Sequence, residues 1–484
     1  MAPLACLLQE QGHHVRGTDG PLYPPMSTLL AGAGITPMAG YDPSHLTPRP
    51  DLVVIGNAIH RNNPEAVEAE RLGIPILSMP QALSRFFLEA HRPLVVAGTH
   101  GKTTTTAMAA WVYTACGRDP GYLIGGAPRD LPASFRDGAG ERFVVEGDEY
   151  NAAYFDRGAK FLHYRPETLI LTSAEYDHAD LYPTPEALFD AFARLVDLLP
   201  TEGRLVACGD IPKVRELAVR ARCPVIFYGL EEDNDVHPLG IQWGPAESRF
   251  RLLDPEAGEV EVALPLAGEH NVSNALGVWA AARRDGLPAA EVAAAFGRFR
   301  GVKRRLEELG TGRGITVVDD FAHHPTAVEK TLGALRQLYP GRRVLVLFEP
   351  RSLTAGRAFF FAPYREAFAA ADRVLFAPTF HLGRLAPEDR LDFGALAQEV
   401  TAAGVPATLC ASTDEVFRRA LEEAREGDVL VTMSSGSFEG MPHRLAEALV
   451  ADDFWQKAAT LREATGGRHS TEGAVLIRED RDRD

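Results

Sequence analysis

Short apolar runs, each closed by a polar turn and followed by a helical stretch, set the rhythm of this chain. In the first ninety residues the runs lie at 14–19, 51–57 and 74–78, with a helical pattern at 64–72. Alternation of this kind predicts parallel strands joined by crossover helices, an α/β architecture. Residues 1–11 read as a helix that precedes the first apolar run. A domain of this type should open with a strand and a glycine-rich turn instead. Both are expected to be missing from its start, leaving Leu4, Leu7 and Leu8 without a sheet neighbour and exposed.

Further runs follow at 94–97, 142–146 and 168–172, then at 315–318, 344–348, 374–376 and 429–433. Ligands of open α/β sheets gather where strands end. All but one of the last four runs end directly in polar groups, at Asp319-Asp320, at Glu349-Pro350-Arg351-Ser352 and at Ser434 to Ser437. The pattern divides into a first α/β domain over 1–91, a second over 92–303 and a third over 304–458. Residues 459–484 lose the periodicity and form a charged tail.

The 94–97 run leads into Gly98-Thr99-His100-Gly101-Lys102-Thr103-Thr104. A tight glycine loop between a buried strand and a helix aims several backbone N–H groups at one spot, which suits a polyphosphate. Lys102 can reach the β- and γ-phosphates, and the Thr103 hydroxyl can ligate Mg²⁺. Val96 stands where the longer form of this loop carries its first glycine, so the motif is a short and less common variant. A glycine turn with a surface lysine is the bland alternative. The strand–loop–helix context favours a nucleotide.

Composition narrows the partners. The 484 residues carry a formal charge of −16, which argues against nucleic acid or an anionic membrane. Five scattered cysteines without a C-x-x-C pair point away from disulfides and zinc ribbons. Neither a signal-like start nor an 18-residue apolar run is present, and a cytoplasmic protein is expected.

Other strand ends carry candidate chemistry. Glu146, opening Glu146-Gly147-Asp148-Glu149-Tyr150, is placed for a metal that also touches Thr103, although such acidic runs are often turns and caps. His178, in Asp177-His178-Ala179-Asp180, offers a metal ligand or a hydrogen bond to an anion; a lone histidine is otherwise structural. His270, Asn271 and Asn274 open an alanine-rich helix and can meet a purine edge, with Asn271 as an N-cap in the alternative. Arg305, in Gly301-Val302-Lys303-Arg304-Arg305, can close over a γ-phosphate as an arginine finger does, or belong to a solvated basic turn. Asp319 and Asp320 can grip a ribose, with His323 orienting them.

Taken together, GTHGKTTT (98–105), EGDEY (146–150), DHAD (177–180), GEHNVSNAL (268–276), GVKRRLE (301–307) and DDFAHHPTAV (319–328) resemble the Mur ligases, the amide-forming enzymes of peptidoglycan synthesis. The resemblance implies three domains: a Rossmann-like UDP-sugar domain, a P-loop ATPase domain and a Rossmann-like domain for the incoming amine. It implies ATP and Mg²⁺, with UDP-N-acetylmuramate and a cell-wall peptide as partners, and a monomer. Lys102, His178 and Arg305 are then the catalytic candidates. The nucleotide would rest on Gly98, Thr99, His100, Gly101, Lys102, Thr103, Thr104, His270, Asn271, Asn274, Arg305 and Asp320, and the metal on Thr103, Glu146 and His178. Several family members bind a second metal through a carbamylated lysine just beyond DHAD. No lysine lies between Lys160 and Lys213 here, so Glu146 and His178 are expected to serve alone.

Arg351, Ser352 and Ser435 are candidates for the carboxylates of the amine substrate, since arginine binds a carboxylate through two bonds. Residues 23–28, 155–166 and 349–352 look like the branch that ligates a ready-made tripeptide, L-alanyl-γ-D-glutamyl-meso-diaminopimelate. The branch that adds a single L-alanine would show His-Arg-Tyr-Thr-Arg after Pro350. A non-catalytic nucleotide-binding protein is the third reading. With the first glycine loop missing, weak binding of the UDP-sugar is expected; were that loop dispensable, the pyrophosphate would rest on other groups around Gly56 and Asn57.

Overall fold

The computed structural model describes residues 1–451 apart from 24, 25, 246, 381, 382 and 384. The charged tail at 459–484 and two residues of the 23–28 stretch lie outside the described residues. Two compact units emerge. One holds residues 1–305 with 324–340 and 353–357. The other holds 306–323, 341–352 and the described residues of 358–451.

A seven-stranded sheet organises the first unit. Its order is Val225–Tyr228, Arg204–Cys208, Thr168–Leu171, Arg92–Ala97, Arg142–Gly147, Gly121–Leu123 and Phe135–Arg136, with only the last strand antiparallel. Its central strands are continuous buried runs because both faces are covered. Leu94, Val96, Val144 and Ile170 pack on one face with the helices Lys102–Ala115 and Glu269–Arg284. Val95, Ala97, Val145 and Leu171 pack on the other with Pro185–Asp197 and Met79–Phe86. Register decides where the chemistry emerges: Ala97 pairs with both Leu171 and Gly147. Three loops therefore leave the sheet side by side, at 98–101, 148–150 and 172–178.

The first ninety residues form two small parallel pairs, Thr18–Asp19 with Met38–Ala39 and Val53–Ile55 with Ile76–Ser78. These strands are shorter than the apolar runs predict. One expectation is overturned here. Leu4 and Leu7 of the helix Ala2–Glu10 are 1% and 0% exposed, and Leu8 is partly buried, because this helix packs into the same core as Leu83, Phe87 and Phe135. An antiparallel sheet of Pro238–Trp243, Ser248–Asp254 and Gly258–Leu264 was not anticipated. Phe250, Leu252, Val262 and Leu264 seat it on the core of the first face.

The second unit is built on a six-stranded sheet. Its order is Glu307–Gly312, Ile315–Asp320, Val429–Met433, Val344–Phe348, Arg373–Phe376 and Ala407–Leu409, parallel except for the first pair. Met433 pairs with both Asp320 and Phe348, so the polar strand ends 320, 349 and 434 stand next to one another. Among the described residues no helix is long and apolar enough to cross a membrane.

Candidate active site

The loop after Arg92–Ala97 is shaped by two glycines. Gly98 has φ +139°, and a Cβ there would collide with Thr172 Oγ1 and stand 2.7 Å from the Ser173 backbone nitrogen. Gly101, at φ +80°, caps the helix Lys102–Ala115 and passes so close to Asn274 that a Cβ would lie 2.8 Å from its Oδ1. The backbone N–H groups here can approach an anion only because no side chain intervenes. Asn274 Nδ2 is buried and has no acceptor in the structure. An amide donor left open beside a phosphate-type loop is a place for a ligand oxygen. The structure thus puts Asn274 at the loop, whereas Asn271 spends its Nδ2 on the Ala267 carbonyl at 2.7 Å.

Lys102 turns back over the loop. Its Nζ donates to the Gly98 and Thr99 carbonyls at 2.6 and 3.1 Å and pairs with Glu149 Oε1 at 2.9 Å. Burial pulls its pKa down, but the carboxylates of Glu149 and Asp148 outweigh this and hold it above the ordinary lysine value. The same Glu149 Oε1 meets His178 Nε2 at 2.9 Å. His178 sits in a left-handed conformation at φ +54°, its N–H held by Asp177 Oδ1 at 2.6 Å. Burial alone would lower the His178 pKa; its bond to Glu149 and the charge of Asp177 raise it instead. Glu149 itself lies below the usual carboxylate range despite complete burial, because Lys102 and His178 flank it. Its other oxygen, Oε2, is buried without a partner.

Two residues before the Asp148-Glu149 pair, Glu146 Oε1 accepts the Thr103 hydroxyl at 2.8 Å and Oε2 accepts the Gly125 N–H at 2.7 Å. Burial pushes the Glu146 carboxyl up. Arg305 Nη2 reaches Thr103 Oγ1 at 3.5 Å. Its neighbours Arg304 and Leu306 have φ of 60° and 51°, a strained turn of the kind retained where a side chain must be aimed.

The metal candidates therefore fall into two linked pairs, Thr103 with Glu146 and His178 with Glu149. Glu149, which joins Lys102 to His178, is the candidate that sequence reasoning missed. A buried carboxylate oxygen without a donor and a second carboxyl destabilised by burial are what a cation would relieve. The donors are oxygen atoms with one imidazole, a set that fits Mg²⁺.

The remaining nucleotide candidates separate by environment. His270 is buried and its pKa is lowered to about 4 by burial, with Lys330 and Arg305 adding to the shift, so a neutral ring is available to a base edge. Thr99 is tied to the backbone of Glu175 in both directions, at 2.8 and 2.9 Å. The backbone N–H of His100 goes to Ser173 Oγ at 2.8 Å, while its ring faces Glu175 and His324. Thr104 is buried in the helix's first turn. Asn57 is exposed in the turn after Val53–Ile55.

Within the second unit, Asp320 accepts the Leu306 and Ala322 N–H groups at 2.7 and 2.8 Å, one on each oxygen. His323 bonds the Phe321 carbonyl at 3.0 Å. Arg351 faces the 434–437 loop, since a Cβ on Gly436 would strike its side chain. Its guanidinium lies 4.0 Å from the Phe380 ring and 3.5 Å from Glu349 Oε1, and the Ser434 hydroxyl donates to Glu349 Oε2. Ser352 and Ser435 are half-buried beside them.

Comparison with known proteins agrees with this geometry. Residues 1–91 match the Mur ligase family, catalytic domain; 96–282 match the Mur ligase middle domain; 304–436 match the Mur ligase, glutamate ligase domain. The chain is 38% identical to the UDP-N-acetylmuramate–L-alanyl-γ-D-glutamyl-meso-2,6-diaminoheptandioate ligase of Escherichia coli, over 93% of this chain and 96% of that protein. It is 35% identical to the UDP-N-acetylmuramate–L-alanine ligase of Paenarthrobacter aurescens, over 93% of this chain and 94% of that one. The crystal structure of a murein peptide ligase from Psychrobacter arcticus superposes with a TM-score of 0.70 at 33% identity, covering 93% of this chain and 96% of its own. With its three-domain α/β architecture, the chain belongs to the Mur ligase family.

Proposed function

We propose that this protein is an ATP-dependent ligase that joins UDP-N-acetylmuramate to the tripeptide L-alanyl-γ-D-glutamyl-meso-diaminopimelate in peptidoglycan recycling. The observation that carries the reading is the relative of that activity from Escherichia coli, 38% identical over nearly the whole chain. The lactyl carboxylate attacks the γ-phosphorus of ATP and ADP leaves. The peptide amine then attacks the acyl phosphate carbon, phosphate leaves, and the amine gives up a proton.

Lys102 holds the β- and γ-phosphate oxygens and offsets the charge that spreads over them during transfer. Arg305, already at the Thr103 hydroxyl, faces the transferred group. Thr103 and Glu146 would hold Mg²⁺, supported by His178 through Glu149, and the ion would supply positive charge to the phosphates. Gly98 to Thr104 and Asn274 take the phosphates, and His270 and Asn271 the base. Asp320 fixes the turn that follows Arg305, and Asn57 faces the UDP-sugar. Arg351, Ser352 and Ser435 bind the peptide's carboxylates, with Glu349 holding Arg351 in place. The domain boundaries 1–91, 92–303 and 304–458, the division supported by the family matches, complete the proposal together with a monomeric state and a cytoplasmic location.

The L-alanine-adding activity is the second reading, kept alive by the 35% identical relative. Measuring ADP release with UDP-N-acetylmuramate and either amine separates them. Turnover with the tripeptide and little with L-alanine is expected; the reverse preference would overturn the assignment.

A further inference from the structure

We propose that His100, Glu175 and His324 form a binding site for a transition-metal dication of the Zn²⁺ type, separate from the Mg²⁺ at Thr103 and Glu146. One ligand atom from each residue lies within 4.8 Å of the others. His100 Nε2 is 3.4 Å from Glu175 Oε2, and His324 Nδ1 is 3.9 Å from the same oxygen. Ligands about 2.0–2.1 Å from a tetrahedral Zn²⁺ stand roughly 3.3–3.4 Å apart. The observed spacing is close to that of one coordination sphere.

The relation between His100 and Glu175 points the same way. His100 Nε2 is buried and lacks a hydrogen-bond partner although a carboxylate oxygen lies 3.4 Å away. The two atoms are near but not aligned as donor and acceptor, which is how two ligands of one ion sit. The rings of His100 and His324 lie 4.7 Å apart and tilted, so both can turn a nitrogen toward a common point. His324 Nδ1 accepts a long bond of 3.3 Å from the Thr326 N–H, which a metal would displace.

The scaffold is organised in advance. Thr99, next to His100, clamps the Glu175 backbone through two hydrogen bonds. The Thr326 hydroxyl donates to Glu175 Oε2 at 2.6 Å and orients that carboxylate. Outer contacts of this sort set ligand direction and affinity. Two imidazoles and one carboxylate form a set selective for Zn²⁺, Co²⁺ or Ni²⁺ over Mg²⁺, with a position left for water. A bound ion would tie the loop at 98–101 to the start of the helix Pro325–Leu338.

The test uses the full chain, stripped with a chelator, free of nucleotide and kept in excess Mg²⁺. Zn²⁺ is titrated calorimetrically, and Co²⁺ is followed by its visible absorption. One equivalent of each, with the intense spectrum of tetrahedral Co²⁺, is expected. His100→Ala and His324→Gln, the latter keeping an acceptor for the helix start, should each weaken binding about 10–100-fold. Glu175→Gln should do the same with little change in shape. An absent equivalent in the wild-type chain, or binding unchanged by the three substitutions, would overturn the site.

Discussion

Lys102 and Glu149 form a buried pair whose removal can be worked through in advance. The Lys102 side chain is 14% exposed and that of Glu149 only 1%, at 2.9 Å. Lys102→Met leaves the Glu149 carboxylate buried against His178 as its remaining cationic partner. Breaking one side of a buried pair costs about 3–5 kcal/mol. His178 reduces this toward the lower end while it is protonated. Its pKa is raised in the folded protein, so its contribution is complete below about 6.5 and is lost as pH climbs through the folded value. The Lys102→Met penalty should therefore be larger at pH 8 than at pH 6. Glu149→Gln leaves Lys102 with the Gly98 and Thr99 carbonyls and should cost about 1–3 kcal/mol. The double variant loses neither partner alone and should be more stable than the sum of the singles by about 1–3 kcal/mol. Urea unfolding of the nucleotide-free protein measures this, followed by tryptophan fluorescence, since Trp111 and Trp279 pack in the core of that unit. The two variants that carry Lys102→Met should also ligate about 10²–10³-fold more slowly, because they lose a phosphate donor. Additive stabilities, or a Lys102→Met protein as stable as the wild type at pH 8, would refute the pairing.

Three further outcomes are expected. His178→Ala should raise the Mg²⁺ concentration for half-maximal activity by about 10–100-fold, while an unchanged titration would make the residue purely structural. Arg351→Ala should raise the KM for tripeptide by one to two decades with ATP little affected, since a charge-assisted hydrogen bond contributes about 1.5–3 kcal/mol; a change confined to ATP would misplace the amine substrate. The His270 ring should stay neutral in NMR titrations down to about pH 5, given its value of about 4. Because that value is depressed, His270 favours the folded state above about 6.5 and its contribution falls away as pH drops toward 4. His270→Asn should flatten that part of the stability profile, and a ring titrating near 6.5 would contradict its burial.

The buried strands were legible because continuous apolar runs are what a doubly covered sheet requires, and 344–348 and 429–433 appear at their predicted residues. Ser248–Asp254 was missed because its strict alternation of burial is masked in the sequence: Ser248 and Asp254 lie on the buried face and Leu253, 65% exposed, on the other. Leu4 and Leu7 were misjudged for a different reason: a helix finds its cover anywhere in the fold, and distant residues such as Phe87 and Phe135 supply it.

The site divides along the same line. Which residues stand at strand ends follows from local pattern, so Thr103, Glu146 and His178 could be named from sequence alone. Which partner each one faces depends on register between strands far apart in the chain. Ala97, Gly147 and Leu171 align, and only that alignment brings Glu149 between Lys102 and His178. Motif membership also hides side-chain direction. His100 belongs to the phosphate-type loop, yet its ring turns away toward Glu175 and His324. Glu149 and His100 thus share a history: each lies inside a recognisable motif, and each is given its partners by contacts that the motif does not contain. A cation site assembled this way is sensitive to substitutions in any of its contributing segments, which is why the Lys102–Glu149 cycle and the metal titration probe the arrangement better than the loss of any one residue.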